Sequence, residues 1–350
     1  MQPNDLDNVI ARVSEAAQDL SGQRILITGG LGFIGSHLVS VFQYLNDHVL
    51  SEPMQLTVVD NLVTGRKPLK QLIDREDTRV LMADAADVSS LPDLGHIDLI
   101  IHAAGIASPY YYRAHPLETL DVATRGTRAL LDLAVQNRAR FVFFSSSEIY
   151  GDPDEAHIPI PESYRGNVAT MGPRACYDEG KRVGETLCYI YHEYFGIHTN
   201  CIRPFNVFGP GMPEKDYRVM PNFASSLIGG RALTVYGDGR QTRTFCYLTD
   251  ALVGFILVMT KGVPGEPYNI GNPDAELTMS ELAKLFQAID PSAIVRTIEY
   301  PDSYPADEPR RRVPDTRKAQ MQLGYNSEVD ISQGLEEFVG WARANYTGKQ

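Results

Sequence analysis

Short apolar runs alternate with longer stretches of helical periodicity through the first 200 residues of the chain. Residues 24–28 (RILIT), 56–60 (LTVVD), 79–83, 99–103 (LIIHA), 141–145 (FVFFS) and 199–203 read as strands, and 35–44, 117–136 and 175–194 as helices. A strand that is apolar at nearly every position is covered on both faces, so the alternation predicts an α/β fold with a doubly wound parallel sheet. After Pro204 glycine and proline become frequent (FGPGMPEKDYRVMP, YGDGRQTRTF, GVPGEPYNIGNP), with helical pieces such as 220–228 and 279–289. This texture predicts a smaller mixed α/β C-terminal lobe over the carboxyl edge of the sheet, with the segment around 248–260 returning to the first domain. The division expected is a leader helix over 1–21, a first domain of 22–205 plus about 248–265, and a lobe of 206–247 plus about 266–347. In the leader, Val9, Ile10, Val13, Ala16, Ala17 and Leu20 recur at roughly helical spacing, which predicts a packing helix.

Charge narrows the partners. Forty-four acidic against 32 basic side chains leave a formal net charge of -12, which argues against nucleic acid as a main partner. A small phosphorylated ligand needs only a local patch of arginines and backbone N–H groups. The four cysteines, Cys176, Cys188, Cys201 and Cys246, form no C-x-x-C pair and no His/Cys cluster has zinc spacing, so they read as reduced thiols of a cytoplasmic protein without a metal site. No run of about 18 apolar residues is present, so no membrane span is expected. The first 20 residues contain acids and no apolar core, unlike a signal peptide.

Candidate chemistry begins directly after the first strand. Gly29, Gly32 and Gly35, with Phe33 and Ile34 between them, make a G-x-x-G-x-x-G turn from strand to helix. Glycines there permit a tight turn and a close approach of pyrophosphate, and the helix N-terminus offers free N–H groups to phosphate. The fold class expected is therefore Rossmann-type. Asp60 ends the second strand, followed by Asn61; an acid there accepts from a ribose 2′-hydroxyl and repels a 2′-phosphate, which favours NAD over NADP. Arg66 and Lys67 lie near enough to keep NADP open. Asp84 follows the third strand and is expected at the adenine, and Ala103 and Ala104 let a cofactor lie close to the fourth strand.

Tyr177 and Lys181 form Y-x-x-x-K at the start of a long helix, a spacing that puts both on one face. An ammonium, together with a nicotinamide ribose, lowers a phenol pKa and makes the tyrosine a base. Ser145–Tyr150 ends the fifth strand, where ligands sit in such sheets, and supplies hydroxyls that can share a substrate proton.

These motifs together resemble the extended short-chain dehydrogenases/reductases, the NAD-dependent nucleotide-sugar epimerase/dehydratase family, over about 21–346. Within it the chain most resembles the UDP-glucuronate decarboxylase (UDP-xylose synthase) group. The stretches that carry this are 172–186 (GPRACYDEGKRVGET), 145–153 (SSSEIYGDP), 203–210 (RPFNVFGP), 233–250 (LTVYGDGRQTRTFCYLTD), 268–273 (YNIGNP) and 307–319 (DEPRRRVPDTRKA). The resemblance implies Tyr177 as base, tuned by Lys181, with Ser146, Glu148 and Arg312 in the catalytic set. It implies NAD held by residues 29, 32–35, 60, 61, 84, 103, 104, 177 and 181. It places a nucleotide sugar, expected to be UDP-linked, against Ser108, Tyr112, Ser147, Asn206, Arg218, Tyr236, Gln241, Arg243 and Arg312. Ser147 stands where 4,6-dehydratases carry aspartate, which weakens a dehydratase reading. The implied reaction is decarboxylation of UDP-glucuronate to UDP-xylose through a 4-keto intermediate. A C4-epimerase or another 4-keto-sugar-forming enzyme is the alternative, and a non-catalytic NAD-binding sensor a third reading. The sequence departs from the group at Ala123, usually asparagine, in the tyrosine-rich loop Tyr110–Tyr111–Tyr112, and at Tyr217, usually glycine. The loop tyrosines read either as packing or as substrate contacts. The family also implies a homodimer pairing helices 117–136 and 175–194, with Leu130, Leu131, Leu187 and Ile190 compatible with such a face.

Overall fold

A computed structural model describes residues 3–64, 75–300 and 309–349. Gly65, Arg66 and Lys67, and the start of the 307–319 stretch (Asp307 and Glu308), lie outside the described residues. Seven parallel strands form the central sheet, in the spatial order Pro267–Ile270, Thr199–Pro204, Arg140–Phe144, Leu99–His102, Arg24–Thr28, Gln55–Asp60, Thr78–Met82. The order reverses beside Arg24–Thr28, so the crevice of a doubly wound sheet opens at the end of the first strand. In register, Leu26 sits between Thr57 and Ile100, and Thr28 between Val59 and His102. Leu26, Ile27, Leu99, Ile100, Ile101, Phe141, Val142 and Phe143 are buried, as apolar runs covered on both faces require.

The outermost strand, Pro267–Ile270, comes from the segment assigned above to the C-terminal lobe. It pairs in parallel with Thr199–Pro204, so that boundary falls too early. The run PYNI is short and flanked by proline and glycine, which hides a strand. Helix Arg317–Leu323 also belongs with the sheet, burying Ala319 and Leu323 in the core of helix Leu248–Lys261.

The helix expected over 117–136 is interrupted. Pro116–Asp121 passes through a π-helical turn, Val122–Gly126, into Thr127–Asn137. Two contacts mark that turn. His102 is buried between Thr28 Oγ1 at 2.7 Å and the Val122 carbonyl at 3.1 Å, and burial lowers its imidazole to about 3, so it stays neutral. A Cβ on Gly180 would lie 3.2 Å from Ala123 Cβ, so the helix packs tightly against Ala175–Phe195. Leu130 and Leu131 are buried within the chain.

The lobe carries its own core around Phe208, Phe223, Phe286 and Phe338. Its strands Glu276–Thr278, Thr242–Thr244 and Arg311–Arg312 make one small sheet. The leader forms helix Pro3–Val13 and turn Ala16–Leu20, burying Val9, Val13, Ala17 and Leu20. Arg12 reaches fully buried Asp250 at 2.6 Å, and Asp250 also accepts from the N–H groups of Glu328 and Val329 at 3.0 and 2.9 Å.

Removing one partner of a buried ion pair leaves the other charge uncompensated. Arg12→Ala should therefore cost about 2–3 kcal/mol, the two backbone donors limiting the loss. Urea unfolding measures it, and a loss under about 0.5 kcal/mol, the size of a surface pair, would contradict the assignment.

Candidate active site

Gly29 has φ +71, and a Cβ there would fall 2.6 Å from the Ala104 backbone. A Cβ on Gly35 would fall 2.1 Å from the Gly29 carbonyl oxygen. Only glycine allows this packing of strand, turn and helix. Helix Phe33–His48 then begins at Gly32, with no side chain capping it. Asp60 Oδ2 accepts from Leu31 N at 3.0 Å and Oδ1 from Leu62 N at 2.8 Å. The carboxylate thus pins the glycine turn to the second strand and keeps lone pairs for a hydroxyl. A close backbone cradle, an uncapped helix start and an acid at the second strand fit a dinucleotide. Asp84 Oδ1 accepts from Ala86 N at 2.8 Å at the end of the third strand.

The turn opens into one cavity of about 710 Å³, a volume in the range of small-molecule sites. Every residue proposed from the sequence as catalytic, cofactor-binding or substrate-binding lines it, from Gly29 to Arg312. Tyr177 lies on its floor, buried and stacked on Tyr112 with ring centres 5.4 Å apart and planes 13° from parallel. Burial pushes its phenol up to about 12, while a hydrogen bond with Ser146 and the charge of Arg218 act the other way. Lys181 Nζ donates to the Phe144 carbonyl at 2.6 Å and sits 5.9 Å from the Tyr177 ring centre. Burial brings its ammonium down to about 8. Among the protein's own groups, then, burial of the phenol outweighs what the sequence led one to expect of the lysine.

The most heavily charged part of the lining adjoins Tyr177 through Ser146. Ser146 accepts from Glu148 N at 3.2 Å and so opens the short turn Ser147–Tyr150. That turn projects Glu148 between two buried guanidiniums. Arg312 Nη2 donates to Oε1 at 2.6 Å, and Arg174 Nη2 donates to Oε2. Burial alone would raise this carboxyl, but Arg312 and Arg174 override it and hold it well below the usual carboxylate range. Arg312 is 2% exposed, and its Nε and Nη1 have no hydrogen-bond partner among the described residues. Arg174 also reaches Asp178 Oδ2 at 3.5 Å, while Asp178 Oδ1 is buried without a hydrogen-bond partner among the described residues. Neither Arg174 nor Asp178 was singled out from the sequence, although both sit within the 172–186 stretch that flanks Tyr177.

The remaining substrate candidates are held more by the protein itself. Ser108 Oγ donates to the Asp216 carbonyl, and Arg218 forms two bonds to the Asp216 carboxylate at 2.5 and 2.8 Å. Asn206, at φ +39, donates to the Thr244 carbonyl at 2.8 Å. Arg243 Nη1 donates to the Thr242 carbonyl at 2.8 Å, and Gln241 Nε2 to the Tyr236 carbonyl at 3.4 Å. Ser147 is buried in the wall, and the Tyr112 hydroxyl is buried without a partner among the described residues. Among the described residues no group of three or more His, Cys, Asp or Glu is placed to hold a metal, and no helix is long and apolar enough to cross a membrane.

Residues 25–271 match the model of the NAD dependent epimerase/dehydratase family. The chain is 41% identical over 318 residues to UDP-glucuronic acid decarboxylase 1 of Arabidopsis thaliana, covering 90% of this chain and 69% of that one. In structure it is similar to DesIV, a dTDP-glucose 4,6-dehydratase from Streptomyces venezuelae with NAD bound (TM-score 0.80, 28% identity, 92% of this chain and 97% of that one). It is also similar to a tyrosine-to-phenylalanine mutant of the UDP-glucuronic acid 4-epimerase of Bacillus cereus, in complex with NAD and a fluorinated UDP-glucuronic acid (TM-score 0.77, 25% identity, 92% and 100%).

The charged wall makes stability depend on pH through Asp178. Burial and the neighbouring Glu148 push its carboxyl up from 3.8 to about 7, against the pull of Arg174 and Arg312. The folded chain keeps a proton that the unfolded chain releases, so this group makes stability fall as pH rises from about 4 to about 7. Asp178→Asn removes that dependence. Its stability advantage over the parent should grow across this window, by on the order of 3 kcal/mol, and level off above it. Thermal unfolding across pH measures the gap; one that does not change with pH would contradict the assignment.

Proposed function

The chain belongs to the NAD dependent epimerase/dehydratase family, and on that premise we propose that it decarboxylates UDP-glucuronate to UDP-xylose through a 4-keto intermediate. The observation that carries this reading is Glu148 held between Arg174 and Arg312, with two buried nitrogens of Arg312 unpartnered among the described residues, in the cavity that also holds Tyr177. A guanidinium with unused donors suits an anionic sugar group, because its planar fork pairs with carboxylate. Ser147 in the adjoining wall offers a hydroxyl where a dehydratase needs a carboxylic acid.

Bound NAD⁺ supplies the acceptor for the hydride of sugar C4 and returns that hydride at the end. Tyr177 takes the O4 proton, with Ser146 sharing the hydrogen bond and Lys181 supporting negative charge on the phenol. Arg312 holds the C6 carboxylate next to the new C4 ketone, which makes the sugar a β-keto acid. The C5–C6 bond then breaks with its electron pair delocalised into the ketone, and CO₂ leaves. The enolate takes one proton at C5, and Tyr177 gives its proton back to O4. The buried walls keep bulk water from these steps.

Assembly and location follow the same reading. Val183, Leu187, Ile190 and Tyr194 recur at helical spacing along Ala175–Phe195 and are partly or fully exposed, which supports a dimer packed on this helix. The four cysteines, all free thiols, support a reducing, cytoplasmic site of action.

Purified protein incubated with UDP-glucuronate and NAD⁺ should release CO₂ and a pentose nucleotide. A C4-inverted uronate alone, or a stable 4-ketone that keeps its carboxylate, would overturn decarboxylation in favour of epimerisation or dehydrogenation. Tyr177→Phe should lower turnover by about 10²–10⁴-fold while leaving NAD affinity nearly intact. Unchanged turnover would remove Tyr177 from the role of base.

A further inference from the structure

Tyr217 adopts φ 66 and ψ 0, a left-handed conformation that glycine takes freely and a tyrosine takes at a cost. Glycine is also the residue the family resemblance leads one to expect there. A strained tyrosine persists where its ring does something. That ring lines the mouth of the cavity, 38% exposed, with its centre 4.3 Å from that of Tyr110, itself 49% exposed. Tyr111 completes the group, 5.3 Å from Tyr110 and 6.3 Å from Tyr217. The two sides come from different parts of the fold. Tyr110 and Tyr111 stand on helix Pro109–Ala114, after the fourth strand of the order of sequence, whereas Tyr217 precedes helix Val219–Ile228 of the lobe. The Ser108 hydroxyl ties the same two segments by donating to the Asp216 carbonyl.

We propose that Tyr110 and Tyr217 form an aromatic clasp across the cavity mouth that retains the decarboxylated 4-keto pentose until C4 is reduced. The inference rests on the decarboxylation reading above and adds to it a residue pair that sets product fidelity. Loss of CO₂ removes the one anionic group on the sugar, so Arg312 no longer holds it. The remaining ketone is uncharged and is kept in place only through its nucleotide and through closure of the mouth. Rings that bridge the two sides supply that closure. The balance is strict: the 4-ketone is oxidised by two electrons relative to the xylose product, and the bound nicotinamide carries those two electrons. Each ketone that escapes therefore leaves one cofactor reduced.

Tyr217→Gly relieves the backbone while removing the ring, and Tyr110→Ala removes the other half. Holoenzyme of each is given UDP-glucuronate, and released UDP-4-keto-pentose is trapped by borodeuteride and weighed against UDP-xylose by mass spectrometry. Either change should raise the ketone fraction about tenfold, the equivalent of losing one aromatic pair contact. Near-ultraviolet absorbance of reduced nicotinamide should build up in parallel. First-turnover CO₂ release should stay within about threefold of the parent, and Tyr217→Phe should behave as the parent. An unchanged ketone fraction in both ring-deleted variants would overturn the clasp while leaving decarboxylation standing. A parent that releases no CO₂ would instead overturn the decarboxylation reading, and the clasp's role with it.

Discussion

Charge buried away from water must be paired, and the active-site wall of this protein is organised around that constraint. Glu148, Arg174, Asp178, Lys181, Arg243 and Arg312 are all largely removed from solvent within one region. Glu148 satisfies two arginines at once, one from the segment entering the helix of Tyr177 and one from the edge strand of the lobe's small sheet. The carboxylate thereby joins two parts of the fold in the wall of the cavity. Pairing within the cluster is incomplete. The unused donors of Arg312 leave room for one more anion, and the unpartnered oxygen of Asp178 favours its protonated form. A guanidinium left in this state suits a carboxylate or phosphate.

The fold delivers these groups with little freedom. Parallel strands all end at one edge, so Gly29, Asp60, Asp84, Ala103 and Ser145 arrive along one line without long loops. Helix Ala175–Phe195 packs on the π-interrupted helix closely enough that Gly180 faces Ala123, which fixes the height of Tyr177 and Lys181 above the sheet. The asparagine usual at position 123 would meet a glycine across that narrow gap. The small side chain suits that gap, and Ala123 itself does not line the cavity.

Much of this was legible in the sequence, for a physical reason. The glycine turn, Asp60 and the Tyr177–Lys181 pair are encoded by local spacing, because one strand end or one helical turn brings their members together. What spacing could not show arises from long-range contacts. Glu148 and Arg312 are 164 residues apart, and the role of Arg174 appears only once both are in place. Tyr110 and Tyr217 stood out as departures from a family pattern, but their contact exists only in three dimensions. Strand Pro267–Ile270 was hidden by proline and glycine at its ends. The π turn was hidden because apolar spacing does not report which carbonyl each N–H selects. Burial of the Tyr177 phenol, which raises its pKa among the protein's own groups, was also invisible to spacing, because burial is absent from a one-dimensional reading.

In the proposed reaction the hydrogen at sugar C4 leaves and comes back within one closed site while Tyr177 handles only the O4 proton. UDP-glucuronate deuterated at C4 tests this most directly, by mass and magnetic resonance analysis of the pentose nucleotide formed in ordinary water. Full retention of deuterium at C4, with a solvent hydrogen newly placed at C5, is the result predicted. Loss of the C4 label to water would contradict the account, because it would mean that this hydrogen is removed as a proton.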